Sequence, residues 1–196
     1  MIGIINYGLG NVRAFENILK KLNISFKLVS YPNEFKGISK AILPGVGSFD
    51  SAINKIKTND IFDKIDECVR SGMPILGVCV GMQIMFSGSE EGDLRGFDWI
   101  NEKISKLNEA YPLPHLGWNN ISFNDNELFK NIDNNAEFFF LHSYGLLNNT
   151  EFSIATTEYF QKFNCAVQKG NIFGVQFHPE KSHDNGITLL NNFCNL

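Results

Sequence analysis

Gly77-Val78-Cys79-Val80-Gly81 is the segment of this chain best suited to chemistry. It closes an apolar run, Pro74 to Val78, and passes into Met82-Gln83-Ile84-Met85, so it reads as the thiol counterpart of the G-x-S-x-G nucleophile elbow. A sharp strand-to-helix turn leaves no room for side chains beside the nucleophile, which gives both glycines a physical role. N–H groups at the start of the following helix point at the sulfur and favour thiolate over thiol. The Val80 N–H, directly after the nucleophile, is placed to donate to an oxyanion. The competing reading is a buried structural cysteine between two unrelated glycines.

A thiol nucleophile needs a base and a group that orients the base. Of His115, His142, His178 and His183, the segment Gly174-Val175-Gln176-Phe177-His178-Pro179-Glu180 stands out. An apolar strand delivers His178 at its end, and Glu180 two residues on can leave the same side of an extended segment. Pro179 keeps His178 out of helix. A carboxylate so placed can bond one ring nitrogen and leave the other facing the thiol. Pro44-Gly45-Val46-Gly47 ends another strand and so belongs to the same carboxyl edge of the sheet, where ligands of open α/β sheets bind. Its glycines let backbone N–H groups approach an anion and let the turn change conformation cheaply. Gly8-Leu9-Gly10-Asn11-Val12-Arg13 also opens a helix after a strand, as a dinucleotide fingerprint does. Arg13 stands where a third glycine belongs, and no carboxylate ends a strand about 20 residues on, so a plain turn is preferred and no cofactor is expected.

The elements that must carry these residues are legible in the apolar spacing. Ile2 to Asn6, Ser25 to Val29, Ala41 to Leu43 and Pro74 to Val78 read as strands. Between them, Val12/Phe15/Leu19/Leu22, Phe49/Ile53/Ile56 and Ile61/Ile65/Cys68 recur at helical spacing, with Asn11 at the first N-cap. This alternation predicts an open, mostly parallel sheet flanked by helices. From Trp99 onward short strands follow closely: Trp99 to Leu107, Gly117 to Phe123, Glu137 to Leu141, Phe152 to Thr157, Cys165 to Lys169 and Ile172 to Phe177. Antiparallel hairpins are expected there, with Gly170-Asn171 as a turn and a last helix over about Asn185 to Cys194.

Composition removes other classes. The 196 residues, 43% hydrophobic and 19% charged, suit one ordered domain over residues 1–196 rather than a disordered chain. Lys+Arg 17 against Asp+Glu 21 leaves 17 − 21 = −4, which argues against nucleic-acid and membrane-surface binding. No apolar run is long enough for a bilayer span, and Met1-Ile2-Gly3 opens no secretory signal. Cys68, Cys79, Cys165 and Cys194 form no C-x-x-C pair and no metal-ligand spacing, so no metal is expected and a reducing, cytoplasmic setting follows.

Gly77 to Gln83, taken with Gly174 to Ser182, resembles the class I glutamine amidotransferases. The finer resemblance is to the glutaminase subunits of imidazole glycerol phosphate synthases. Tyr7-Gly8-Leu9-Gly10-Asn11, Pro44 to Phe49, Ser89-Glu90-Glu91-Gly92, Pro114-His115-Leu116-Gly117-Trp118-Asn119 and His142-Ser143-Tyr144 match that family's motifs in order, over nearly the whole chain. The resemblance implies that Cys79 attacks the side-chain amide of glutamine. His178 would carry the proton to the leaving ammonia, with Glu180 holding its ring. Val80 and the loop Gly45, Val46, Gly47 would stabilise the oxyanion, and Gln83, Glu91, Ser143 and Tyr144 would hold the amino-acid end of the substrate. It also implies ammonia transfer, for imidazole glycerol phosphate and AICAR formation in histidine biosynthesis, to a (β/α)₈ cyclase subunit in a heterodimer. That partner would dock across a face including Asn11, Trp118 and Lys181. The chain departs from the family in Val80 for leucine, Leu116 for methionine, Phe138-Phe139-Phe140 without the usual tyrosine, and Gly96-Phe97-Asp98-Trp99-Ile100. These departures keep a surface-sugar amidotransferase open as the ammonia acceptor. A cysteine-elbow hydrolase or stress protein, which would not require Gln83, Glu91 or the His178–Glu180 pair, and a non-catalytic binding partner, against which the intact Cys79, His178 and Glu180 weigh, are further alternatives.

Overall fold

A computed structural model describes residues 1–108 and 110–196. Short strands, wholly buried in β1 and β4, alternate with helices that bury one stripe each. β1 (Ile2–Ile5) leads to α1 (Val12–Lys21), β2 (Phe26–Val29), β3 (Lys40–Leu43), α2 (Phe49–Thr58), α3 (Phe62–Arg70), β4 (Ile75–Val78) and a single turn of helix, α4 (Val80–Gln83). Phe15 and Leu19 of α1, Phe49, Ala52, Ile53 and Ile56 of α2, and Ile65 and Val69 of α3 are buried, the spacing the sequence predicts. Asn11 stands at the N-cap of α1, but its side chain makes no capping hydrogen bond.

The remainder comprises β5 (Phe86–Ser89), β6 (Ile100–Lys106), β7 (His115–Asn120), β8 (Ser122–Phe123), β9 (Glu137–His142), β10 (Tyr144–Gly145), β11 (Ser153–Glu158), β12 (Lys162–Lys169), β13 (Ile172–Val175) and α5 (His183–Asn195). The main sheet has eight strands in the order β2-β1-β3-β4-β13-β12-β11-β8. From β2 to β13 every pairing is parallel, and β12, β11 and β8 extend the sheet antiparallel. Gly170-Asn171 forms the two-residue turn between β12 and β13, with Gly170 at φ +58°. Since β1, β3, β4 and β13 run the same way, the segments leaving their carboxyl ends emerge on one edge. Those are Tyr7 to Asn11, Pro44 to Gly47, Cys79, and Gln176 to Glu180.

Two expectations fail in detail. Gly117 to Phe123 is not one strand: the chain turns at Ile121 to bury that side chain, so β7 pairs with β9 and β8 joins the main sheet. β6 belongs to a separate three-stranded sheet, β10-β6-β5, whose short β5 and β10 the sequence does not announce. The helix after Cys79 is one turn long, because Met82, Ile84, Met85 and Phe86 are all buried and offer no amphipathic stripe. Among the described residues no helix is long and apolar enough to cross a membrane.

Candidate active site

Cys79 sits between β4 and α4 at φ +55° and ψ −113°, a backbone conformation that costs a non-glycine residue about 1–3 kcal/mol. The strain is held in place from several sides. The Cys79 N–H donates to Val175 O at 2.8 Å, and the Cys79 carbonyl accepts from Met82 and Gln83. A Cβ at Gly81 would lie 1.9 Å from Leu43 O, and one at Gly45 would lie 2.2 Å from the Gly81 nitrogen. The elbow therefore packs directly on the end of β3, backbone to backbone. Gly45 serves this close approach, while Val46 and Gly47 (φ +103°) reach the cavity in front of the sulfur. Val80 follows the nucleophile as the first residue of α4, where an N–H has no intrahelical acceptor.

His178 and Glu180 are both buried, with Nδ1 2.9 Å from Oε1. They do not meet along an extended segment as the spacing suggests. His178 is extended (φ −101°, ψ 93°), and a 3₁₀ turn over Pro179–Lys181 swings Glu180 back beneath it. A carboxylate only accepts, so Nδ1 donates to it; Nε2 is the nitrogen left for the thiol's proton, and it makes no hydrogen bond to the chain. Burial pushes the His178 pKa down, but the Cys79 and Glu180 side chains push it up further, to about 10. The thiol is thus near enough to favour imidazolium without an aligned bond to Nε2, a common resting arrangement before substrate arrives. The His178 N–H donates to Phe139 O at 2.8 Å, and Ser182 Oγ bridges the His178 carbonyl at 2.6 Å to the Phe139 N–H at 3.0 Å. β9 and Ser182 thereby pin the histidine backbone.

The cavity holds about 240 Å³ and is lined by Cys79 and Val80, Val46 and Gly47, Gln83 and Glu91, and the stretch Leu141 to Tyr144 with Pro114. All four residues expected at the amino-acid end, Gln83, Glu91, Ser143 and Tyr144, are among them. Glu91 Oε2 accepts from the Phe49 N–H at 2.8 Å, at the start of α2, and Asp50 of α2 accepts in return from Asp93 and Leu94 N–H at 3.1 Å. Burial raises the Glu91 pKa, the Phe49 bond opposes this, and Asp50 adds to it. Behind Cys79, Tyr7 donates its hydroxyl to Pro44 O at 2.7 Å; burial, then the neighbouring cysteine, push its pKa far up.

Trp118, Lys181 and Asn11 stand exposed. Trp118 stacks on His183, and the Lys181 ammonium lies 5.4 Å from the Phe139 ring centre, so β7, β9 and the 3₁₀ turn share one patch. Phe139 is the outward member of the Phe138-Phe139-Phe140 run, since Phe138 and Phe140 are buried. α1, which Asn11 precedes, packs on that same turn.

Sequence reasoning missed the partners of His115 and His142, which face each other across β7 and β9. His142 Nδ1 lies 2.8 Å from Tyr144 O, so it must donate; its Nε2 then accepts from His115 Nδ1 at 3.1 Å. Asn119 donates to His115 Nε2 at 3.3 Å. Burial lowers the pKa of His115 to about 4. Burial also lowers that of His142 to about 3, helped by the other histidines and opposed by Tyr144 O. The unfolded chain takes up these protons near pH 6.5 and the native chain does not, so stability is present above pH 6.5 and falls as the solution is acidified. At pH 5 the unfolded chain holds nearly two protons more than the native pair, a slope of about 2–3 kcal/mol per pH unit. Urea titrations at pH 7, 6 and 5 are expected to show this slope, and His115→Phe, which keeps the ring stacking, to about halve it. A flat profile would refute the neutral pair.

The glutamine amidotransferase class-I family model matches residues 3–195. A protein named imidazole glycerol phosphate synthase subunit HisH from Leptospira interrogans is 47% identical over 204 residues, spanning all of both chains. Its namesake from Bdellovibrio bacteriovorus is 40% identical over 204 residues, again with full coverage of both. Among solved structures, one described as a glutamine amidotransferase superposes with TM-score 0.77 at 16% identity, covering 100% of this chain and 99% of that one. The structure of PurLQS from Thermotoga maritima superposes with TM-score 0.75 at 18% identity, covering 99% and 97%. With this fold and full-length matches of this depth, the chain belongs to the class I glutamine amidotransferases.

Proposed function

We propose that this chain is the glutaminase subunit of an imidazole glycerol phosphate synthase. It hydrolyses glutamine to glutamate and ammonia and delivers the ammonia to a (β/α)₈ cyclase subunit in a heterodimer. The observation that carries the reading is Cys79, which lines the 240 Å³ cavity from a strained elbow beside the buried His178–Glu180 pair. The sulfur attacks the amide carbon of glutamine, and the carbonyl oxygen becomes an oxyanion facing Val80 N–H and the Val46–Gly47 loop. His178 holds the proton taken from the thiol and gives it to the amide nitrogen as the C–N bond breaks, releasing ammonia and leaving a thioester. Water then loses a proton to His178 and attacks the thioester, and glutamate leaves as the proton returns to sulfur. Glu180 keeps the ring oriented and stabilises the imidazolium. Glu91 supplies the negative charge for the substrate ammonium.

Free ammonia is wasted unless captured, so hydrolysis is expected to wait for the partner. Gly47 rests at φ +103°, which no proline can adopt, so a proline there would disturb the backbone as well as remove the N–H. Alanine is the cleaner probe, since it keeps the N–H and disfavours positive φ by about 1–2 kcal/mol. If partner docking works by moving this loop out of its resting conformation, Gly47→Ala raises the basal rate and shrinks partner stimulation by about tenfold. The test is a glutamate-release assay with the chain alone, with the cyclase subunit, and with the cyclase and its acceptor. Stimulation by the imidazole-glycerol-phosphate-forming partner is the expected result. Fast hydrolysis by the isolated chain, unchanged by any partner, would overturn the coupling. Stimulation only by a sugar amidotransferase would reassign the acceptor.

A further inference from the structure

A line of buried polar groups runs behind the cavity and ends at the sulfur, and the mechanism above leaves its last member without a task. It starts at the Tyr144 carbonyl, which can only accept. That oxygen takes one hydrogen bond from His142 Nδ1 at 2.8 Å and one from Gln83 Nε2 at 2.9 Å. The Gln83 amide is thereby oriented, with its NH₂ toward the carbonyl. The same NH₂ gives its second hydrogen to Gln176 Oε1 at 3.0 Å. Gln176 is fully buried, and with its oxygen committed to Gln83 its own NH₂ must face the other way. There it meets Cys79 Sγ at 3.7 Å. A backbone carbonyl two amides away thus decides that sulfur sees a donor rather than an acceptor.

We propose that Gln176 is a catalytic residue whose N–H donates to Cys79 Sγ, its direction enforced through Gln83 by the Tyr144 carbonyl. The proposal rests on the glutaminase reading and adds to it a group that touches the reacting atom. The sulfur also meets the Leu141 carbonyl at 3.8 Å, which accepts from the thiol and would repel a thiolate. Gln176 works against that preference. A donor bonds anionic sulfur more strongly than neutral sulfur, so it favours the nucleophile before attack and again when thiolate leaves the thioester. The titratable groups around the sulfur are His178, backed by Glu180, Tyr7, whose hydroxyl is occupied by Pro44 O, and, on the same cavity, Glu91 and His142, the latter held by Tyr144 O. None of them replaces an N–H on the Gln176 side.

Gln176→Met keeps length and bulk and removes the donor. The experiment measures alkylation of Cys79 by iodoacetamide in the full-length chain between pH 5.5 and 9, which needs neither glutamine nor a partner. Alkylation near neutral pH is expected to slow about tenfold in Gln176→Met, with its pH profile displaced upward by about one unit. Gln83→Met, which frees Gln176 to rotate, should show a smaller displacement in the same direction. Glutamate release in Gln176→Met should fall in kcat by about tenfold with KM unchanged. A folded Gln176→Met chain with the alkylation profile of the parent would overturn the proposal. If that variant fails to fold, side-chain amide NMR of the unsubstituted chain decides. The Gln176 NH₂ signals should titrate with the thiol, and signals that ignore both pH and alkylation of Cys79 would overturn it equally. The alkylation shift without glutaminase activity under any condition would leave Gln176 in its role at the sulfur and sink the glutaminase reading instead.

Discussion

Cys79→Ser is expected to lower glutamine hydrolysis by about four to six orders of magnitude, because the members of a nucleophile–base pair act as a unit and removing one forfeits nearly the whole chemical contribution. The fold adds a second expectation about selectivity. The other three thiols are free but disfavoured as thiolates: burial raises Cys165 far above its ordinary range, burial raises Cys194 to about 11 despite Lys40 nearby, and burial raises Cys68 as well. A glutamine-like electrophile should therefore modify Cys79 alone, read by peptide mass spectrometry. Undiminished hydrolysis by the serine variant, or preferential labelling of Cys165, would refute Cys79 as the nucleophile.

His178→Ala should come within about tenfold of the Cys79→Ser loss, since it removes the imidazole that carries the thiol's proton to the leaving ammonia. Glu180→Gln should be milder, about 10²–10⁴-fold, because the amide oxygen can still accept from Nδ1 while the charge that steadies the imidazolium is gone. The same pair sets an alkaline limb of stability. The native histidine keeps a proton that the unfolded chain releases near pH 6.5. Its stabilisation is complete below pH 6.5 and is lost as pH rises through about 10. Glu180→Gln should flatten that limb in melts between pH 6 and 10, which checks the geometry independently of turnover. Should His142→Gln damage thioester formation as severely as His178→Ala, the base has been misassigned.

The family, the strand–helix alternation of the first 80 residues, the glycine-flanked elbow at Cys79 and the His178–Glu180 pair were all legible in the chain, because each is a local pattern. Apolar spacing follows the period of the element it builds. Glycines flank a turn that cannot hold a Cβ, and Pro179 bars helix at His178. Residues at the ends of parallel strands necessarily share an edge, so knowing the strands was enough to gather Pro44 to Gly47, Cys79 and His178 on one side of the sheet. What no local pattern carries is which distant backbone meets which side chain. By sequence Gly45 belongs to a glycine-rich anion loop, and only the packing adds that its missing Cβ serves a contact with Gly81, 36 residues away. Gln176, a lone polar residue in the apolar stretch Gly174 to Phe177, was a signal that went unread. Its partners, Gln83 and Cys79, lie almost 100 residues off, and only the packed chain reveals that its amide has a direction. The tautomers of His115 and His142 were set in the same way, by a carbonyl that can only accept. Sequence periodicity determined the elements and their order, and the residue types in two short motifs set the chemistry proposed for Cys79. Tertiary packing decided the hydrogen-bond polarity around it, because a buried donor or acceptor must find its partner wherever the fold has brought one.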